Sequence, residues 1–251
     1  MNFTPISRTK LNIKYAIQAL KDKYILVLVV IVMAISILVP PPVEKIISPL
    51  ASTFLPLHSL KENKSSHEVF GFLPWWNLNN ETIESTDFNV LTTLAYFDVK
   101  ILPDGSINKD DEGYELFKSE KATRLFKKAH TNGTRVVLTV TMMDIQEIEQ
   151  FLDDPEAQDQ AITQVTDLVK RRGIDGVNID IEYFGNNGSL YQTAFTNFTR
   201  KLTNTMHDKV VGSKVSYSIY ASAVKNPRIY DVQKLGEITD ATFIMAYDYY
   251  H

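Results

Sequence analysis

The chain has 251 residues, 44% hydrophobic and 22% charged, a composition that excludes a disordered or low-complexity protein. Its 26 basic and 30 acidic residues leave a formal net charge of -4, without the basic footprint of a nucleic-acid binder. With no cysteine, thiolate metal sites, redox pairs and a disulfide framework are all excluded.

Residues 1–23 read as a basic segment expected to lie in the cytoplasm, with Arg8, Lys10, Lys14, Lys21 and Lys23 against the single acid Asp22. Residues 24–39 read YILVLVVIVMAISILV and carry no charge. Such a run sits near the lower limit of a membrane-spanning helix, about 17–25 apolar residues. It is expected to be a single-pass signal anchor in the cell membrane, with the basic side in the cytoplasm and the rest of the chain outside it. The competing readings are a cleaved signal peptide, which would leave the rest secreted, and a buried core helix. Pro40, Pro41 and Pro42 follow the run directly, where a signal peptide would place a small-x-small cleavage site. Residues 40–67, with Pro49, Pro56 and the polar run Lys61–Ser66, read as a Pro-rich and polar linker.

From residue 68 onward strands alternate with helices. Strands are expected at Val69–Trp76, Val90–Phe97, Arg135–Thr141, Gly176–Phe184, Val215–Ala221 and Thr242–Tyr247. Tyr114–His130 reads as one helix, closed by Asn132-Gly133. Ile145–Arg172 reads as helical, ends at Gly173 and is broken by Pro155. Leu190–Met206 and Val232–Ile238 are the remaining helices. The unit implied is βαβ with a parallel sheet, either open and doubly wound or closed as a (β/α)₈ barrel. No GxGxxG or P-loop is present, which argues against a nucleotide binder, and the five histidines lack metal-ligand spacing, so neither metal nor cofactor is expected.

The fourth strand is unusual. A parallel strand is covered on both faces and normally reads as continuous Val, Ile and Leu. Here Val177, Ile179 and Ile181 alternate with Asn178, Asp180 and Glu182, so a period of two puts the three polar residues on one face. Burying two carboxylates costs several kcal/mol each unless they are paired, bonded or wet. A solvated edge strand would avoid that cost but would leave the apolar flanking strands unexplained. The polar face is therefore read as a site at the C-terminal ends of the strands, where Glu182 sits.

Asp175-Gly-Val-Asn-Ile-Asp-Ile-Glu182 resembles the DGxDxDxE signature of the family 18 glycoside hydrolases, the chitinase-like barrels. Phe70–Trp76 is similar to the first strand of that family, Leu91–Gly105 to its second strand and Asp-Gly turn, and Met245-Ala-Tyr-Asp248 to its M-x-Y-D. Asn178 departs from the pattern, standing where many chitinases have an aspartate; asparagine is familiar there in the bacterial branch acting on cell-wall and spore-cortex glycans. The resemblance implies a (β/α)₈ barrel over 68–251 and retaining hydrolysis of β-1,4-linked N-acetylglucosamine glycans, chitin or peptidoglycan, assisted by the substrate. Glu182 would then be the general acid. Asp180 would hold the acetamido N–H, Tyr247 would align the acetamido oxygen, and Asp248 would bind the same region of the sugar. Met245 and Asp175 enter the substrate-binding set through the matched motifs. Asn178 is expected to donate a permanent N–H to Asp180 and to remove the coupled titration of an Asp–Asp pair. Trp75 and Trp76 are candidates for stacking on sugar faces; Tyr183, Phe184 and Tyr249 are assigned to core packing.

A (β/α)₈ domain takes about 250 residues, whereas about 184 follow the linker and six strands are expected. The barrel is accordingly read as truncated, part of a longer protein whose last two units, with a tryptophan under the cleaved sugar, lie beyond this sequence. The rival functions are a non-catalytic, lectin-like barrel at the cell surface and an anchored scaffold.

Overall fold

A computed structural model of the protein describes residues 67–247. Its elements run β1 Phe70–Pro74, a 3-10 turn Trp75–Asn77, α1 Asn80–Ser85, β2 Thr93–Lys100, α2 Glu112–Lys118 and α3 Glu120–Thr131. They continue with β3 Arg135–Met142, α4 Ile145–Asp153, α5 Pro155–Arg172, β4 Gly176–Ile181 and α6 Gly188–Lys209. Last come β5 Lys214–Tyr220, a 3-10 turn Ala221–Val224, α7 Val232–Ile238 and β6 Ala241–Met245. The anchor, the basic segment and the linker up to residue 66 lie outside the described residues. Among the described residues no helix is long and apolar enough to cross a membrane.

The six strands form one parallel sheet in the order β1-β2-β3-β4-β5-β6. Parallel neighbours joined in chain order need a crossover each, and helices supply most of that length. The sheet curls. Strands lie about 4.8 Å apart, so the ends of a flat six-stranded sheet would be separated by about 24 Å. Yet Phe243 of β6 packs against Phe72 and Phe70 of β1, with ring centroids 4.8 and 5.6 Å apart. The architecture is α/β, a half-barrel of six parallel strands. Val177, Ile179 and Ile181 point outward and are fully covered, while Asn178 and Asp180 point to the concave face.

Local chemistry explains where the elements stop. The expected helix at Tyr114–His130 is two helices, because Ser119 is extended (φ -66, ψ 160) and its hydroxyl accepts from Ala122 N to start α3. The break at Pro155 occurs as expected: Asp154 caps α5 by accepting from Glu156 N and Ala157 N, and proline occupies the first turn, where no N–H is needed. Gly173 ends α5 with φ 63, a left-handed conformation that glycine adopts without strain. The short α1 escaped the sequence reading; Asn79 caps it by accepting from Thr82 N. β1, β4, β5 and β6 end earlier than expected, whereas β2 runs on to Lys100 and β3 to Met142. Trp75 and Trp76 lie on a 3-10 turn beyond β1, and Glu182 and Tyr247 lie just past the ends of β4 and β6.

Candidate active site

The concave face of β4 meets that of β5. Asn178, with no exposed surface, donates from Nδ2 to Ser218 Oγ at 3.0 Å and accepts at Oδ1 from Ser216 Oγ at 2.8 Å. Both ends of the amide are thus occupied by serines of the next strand. The expected donation from Asn178 to Asp180 is replaced by an indirect link, because it is Ser218 that also bonds Asp180. Asp180 is 4% exposed, and its Oδ1 has no hydrogen-bond partner among the described residues. Burial pushes its pKa up to about 7, the charge of Glu182 adds to this, the Ser218 bond opposes it, and Asp98 raises it further.

Glu182 is half-buried. Its backbone N–H donates to Met142 O at 2.9 Å, and its Oε2 accepts from the Tyr220 hydroxyl at 3.1 Å. Tyr220 is itself held by the Phe184 ring at 4.5 Å and by the Arg228 guanidinium at 4.7 Å from its ring centroid. Burial raises the Tyr220 pKa far above the usual phenol range, so the hydroxyl remains a donor. Tyr230, unlike the half-buried Tyr220, is fully buried; it donates to Ile181 O at 2.7 Å and pins the strand immediately before Glu182. The arrangement is a carboxyl group at the mouth of the half-barrel, a second and drier carboxyl one pleat below it, and neutral hydroxyls around both.

A match to the family model described as "Glycosyl hydrolases family 18" covers residues 51–251. The chain belongs to this family. Human di-N-acetylchitobiase is 30% identical over 185 residues, a match covering 72% of this chain and 40% of that protein. The chain therefore spans about two fifths of the length of that relative. Among solved structures, a chitinase from Bacteroides thetaiotaomicron superposes with a TM-score of 0.60 at 19% identity, covering 74% of this chain and 55% of that one. The Bacillus cereus spore cortex-lytic enzyme SleL superposes with a TM-score of 0.57 at 19% identity, covering 72% and 41%. At those identities the two structures speak to the fold alone.

The other family-18 positions fall into three groups. Trp76 is 57% exposed beside the concave face, edge-on to Phe97 at 6.0 Å and to Trp75 at 5.4 Å. Trp75 is half-buried and packs against the core, so Trp76 offers the freer ring. Met245 ends β6 and is half-buried; Tyr247 is 63% exposed two residues later, and Asp248 and Tyr249 lie outside the described residues. Asp175 stands apart. It precedes β4, and its Oδ2 accepts from Val136 N at 2.7 Å and lies 2.7 Å from His130 Nε2. That places it at the N-terminal end of the strand, joining β3 to α3, away from Glu182, so the substrate-binding assignment of Asp175 is corrected to a structural tie.

Two residues at the site escaped the sequence reading. Tyr220 follows Ser216 and Ser218 at a period of two, the pattern that singled out the fourth strand, and this could have found it. Phe184, assigned to packing, is instead 54% exposed, packs at a tilt against the Tyr220 ring and lies under the Arg228 guanidinium; Tyr183 is fully buried as expected. Asp98 of β2, 3% exposed, accepts from the Thr141 hydroxyl on β3. Its pKa is raised by burial, against the Thr141 bond and the charge of Lys100. Among the described residues no group of three or more His, Asp or Glu is placed to hold a metal ion.

Proposed function

We propose that the protein is a glycosidase acting on N-acetylglucosamine-containing glycans, by retaining catalysis in which the N-acetyl group of the substrate is the nucleophile. The observation that carries this reading is the pairing on one face of half-exposed Glu182, hydrogen-bonded to Tyr220, with buried Asp180 raised to about 7. Two carboxyls with different environments divide the acid and stabilising roles. Glu182 gives its proton to the glycosidic oxygen as the acetamido carbonyl oxygen attacks the anomeric carbon, and the bond to the leaving sugar breaks. An oxazolinium ring closes. Asp180 faces the acetamido N–H, and its ionised form is favoured as positive charge develops there. Water, losing a proton to the Glu182 carboxylate, then opens the ring and regenerates the acid.

Family membership supports this assignment, as do Trp76 as a sugar platform and Tyr247 beyond β6. The substrate is a chitin- or peptidoglycan-type chain, and no cofactor takes part. Glu182→Gln should lower turnover of N-acetylglucosamine oligosaccharides about a thousandfold, within the usual contribution of one general acid of about 10²–10⁴, with affinity kept. Equal turnover in the variant would remove Glu182 from the mechanism; affinity without turnover in the unaltered protein would indicate a lectin-like barrel. We also propose that residues 24–39 anchor the protein with the half-barrel outside the cytoplasm, a reading supported by their uncharged sequence and basic flank. Recovery of the protein in the soluble fraction after cell breakage would count against it.

A further inference from the structure

Asp98 is a buried acid beside the site that no signature motif contains. Its placement comes from an irregularity. The β2–β3 pairing runs Tyr96↔Leu138 and resumes at Val99↔Val140, so Phe97 and Asp98 together oppose a single residue of β3. The additional residue reverses the alternation. Strict alternation would send Asp98 outward with Tyr96; instead it lies buried toward the concave face, bonded to Thr141, while Val99 takes the outward place. Thr141 is in turn the register partner of Asp180 in the β3–β4 pair. Thr141 therefore stands between the two aspartates, and each of them is at most 4% exposed.

Hydrogen bonding alone does not call for an acid at position 98, since an asparagine oxygen would accept from Thr141 equally well and would escape the cost of burying a carboxylate. Several groups face Asp98. Lys100 lies on its own strand but is engaged by Asp111 at 2.6 Å; Asp111 itself precedes α2. Trp75 contributes its indole N–H from the turn after β1 and Asp180 its carboxyl from β4, while the Tyr96 hydroxyl on β2 feels the charge of Asp98 but donates to Gly113 O at 2.8 Å. On the other side of Asp180, the Asn178 amide is neutral, bonded to one serine at each end, and cannot take or release a proton.

We propose that Asp98 is a positioning residue which, across Thr141, forms a carboxyl couple with Asp180 that holds one proton between them, replacing from two strands away the pair that Asn178 interrupts. Two carboxylates in a dry site do not both ionise, and they titrate as a couple. Charge on Asp98 keeps Asp180 protonated at rest, next to Glu182. The inference rests on the hydrolytic reading of this site, and it revises the expectation that Asn178 frees the pH profile of a coupled pair.

The test is a set of pH–rate profiles on N-acetylglucosamine oligosaccharides for the full-length protein and for Asp98→Asn, Asn178→Asp and the double variant. Asp98→Asn should lower kcat about tenfold and move the acid limb down by about one pH unit, since a like charge has been removed beside Asp180. Adding Asn178→Asp to it should recover most of the loss, because the couple is rebuilt on β4. Asn178→Asp alone should lower kcat, as a third acid enters the same buried space. Losses that simply add, with unmoved limbs, overturn the proposal. If Asp98→Asn does not fold, Asn178→Asp alone decides: an unchanged or raised kcat overturns it. If the unaltered protein shows no turnover, the hydrolytic reading fails on its own. The couple is then read by carbon-13 NMR titration of the aspartate carboxyls. Two linked steps that change when Asn178→Asp is introduced support it, and independent titrations of Asp98 and Asp180 overturn it.

Discussion

Replacing Asp180 by asparagine should make the protein more stable and inactive at once. The carboxyl is buried, and its pKa rises from 3.8 to about 7 on folding. Because the folded value lies above the unfolded one, the contribution of this group is most favourable below about pH 4. It is lost progressively as pH rises to about 7, while the unfolded chain has already released its proton. At about 1.4 kcal/mol per tenfold change in proton activity, the full loss is about 4 kcal/mol. Asparagine is neutral throughout and nearly the same size. Asp180→Asn should therefore match the unaltered protein within about 1 kcal/mol at pH 4 and exceed it by about 4 kcal/mol at pH 8. Urea unfolding at the two pH values measures this, read by Trp75 and Trp76 fluorescence. Turnover should fall at least about a thousandfold, for want of the group facing the acetamido. An equal stability difference at both pH values would refute the argument, because it would mean that Asp180 is not held neutral by its surroundings.

Tyr220→Phe removes the hydroxyl that donates to Glu182 Oε2 at 3.1 Å. A bond to a carboxylate is worth about 1.5–3 kcal/mol, so kcat should fall about tenfold or more with KM little changed, and unchanged steady-state kinetics would show that the contact does not act in the reaction. Asp175→Asn weakens the tie to Val136 N and His130 at the far end of the barrel. Thermal unfolding should reveal a loss of about 1–3 kcal/mol with kcat/KM intact; lost turnover at full stability would return Asp175 to the active site.

The site was legible where polarity and period disagreed with burial. Asn178, Asp180 and Glu182 lie on one face of a strand that parallel packing should have filled with aliphatic groups, and the structure places Asn178 and Asp180 inside. The break at Pro155 was legible because proline lacks the N–H that a helix interior uses. Other features were hidden for physical reasons. Asp175 shares a contiguous motif with Glu182, but seven residue steps at about 3.3 Å carry the chain about 23 Å, from one end of the strand to the other. The helical spacing of Tyr114–His130 continues unbroken across Ser119, and only the extended backbone there reveals that serine as a cap. Asp98 was concealed twice: the expected strand ended at Phe97, and the additional residue in β2 turns Asp98 inward where strict period-two alternation would send it outward. Irregularities of pairing are invisible to a pattern that assumes regular pairing.

The central claim is that the acetamido group of the substrate, and not a protein carboxylate, attacks the anomeric carbon. The most direct measurement is proton NMR of the first product formed from a chitin oligosaccharide, compared with one lacking the N-acetyl group on the cleaved sugar. The account predicts a β-anomer from the first substrate and no cleavage of the second. An α-anomer, or equal cleavage of both, would contradict it.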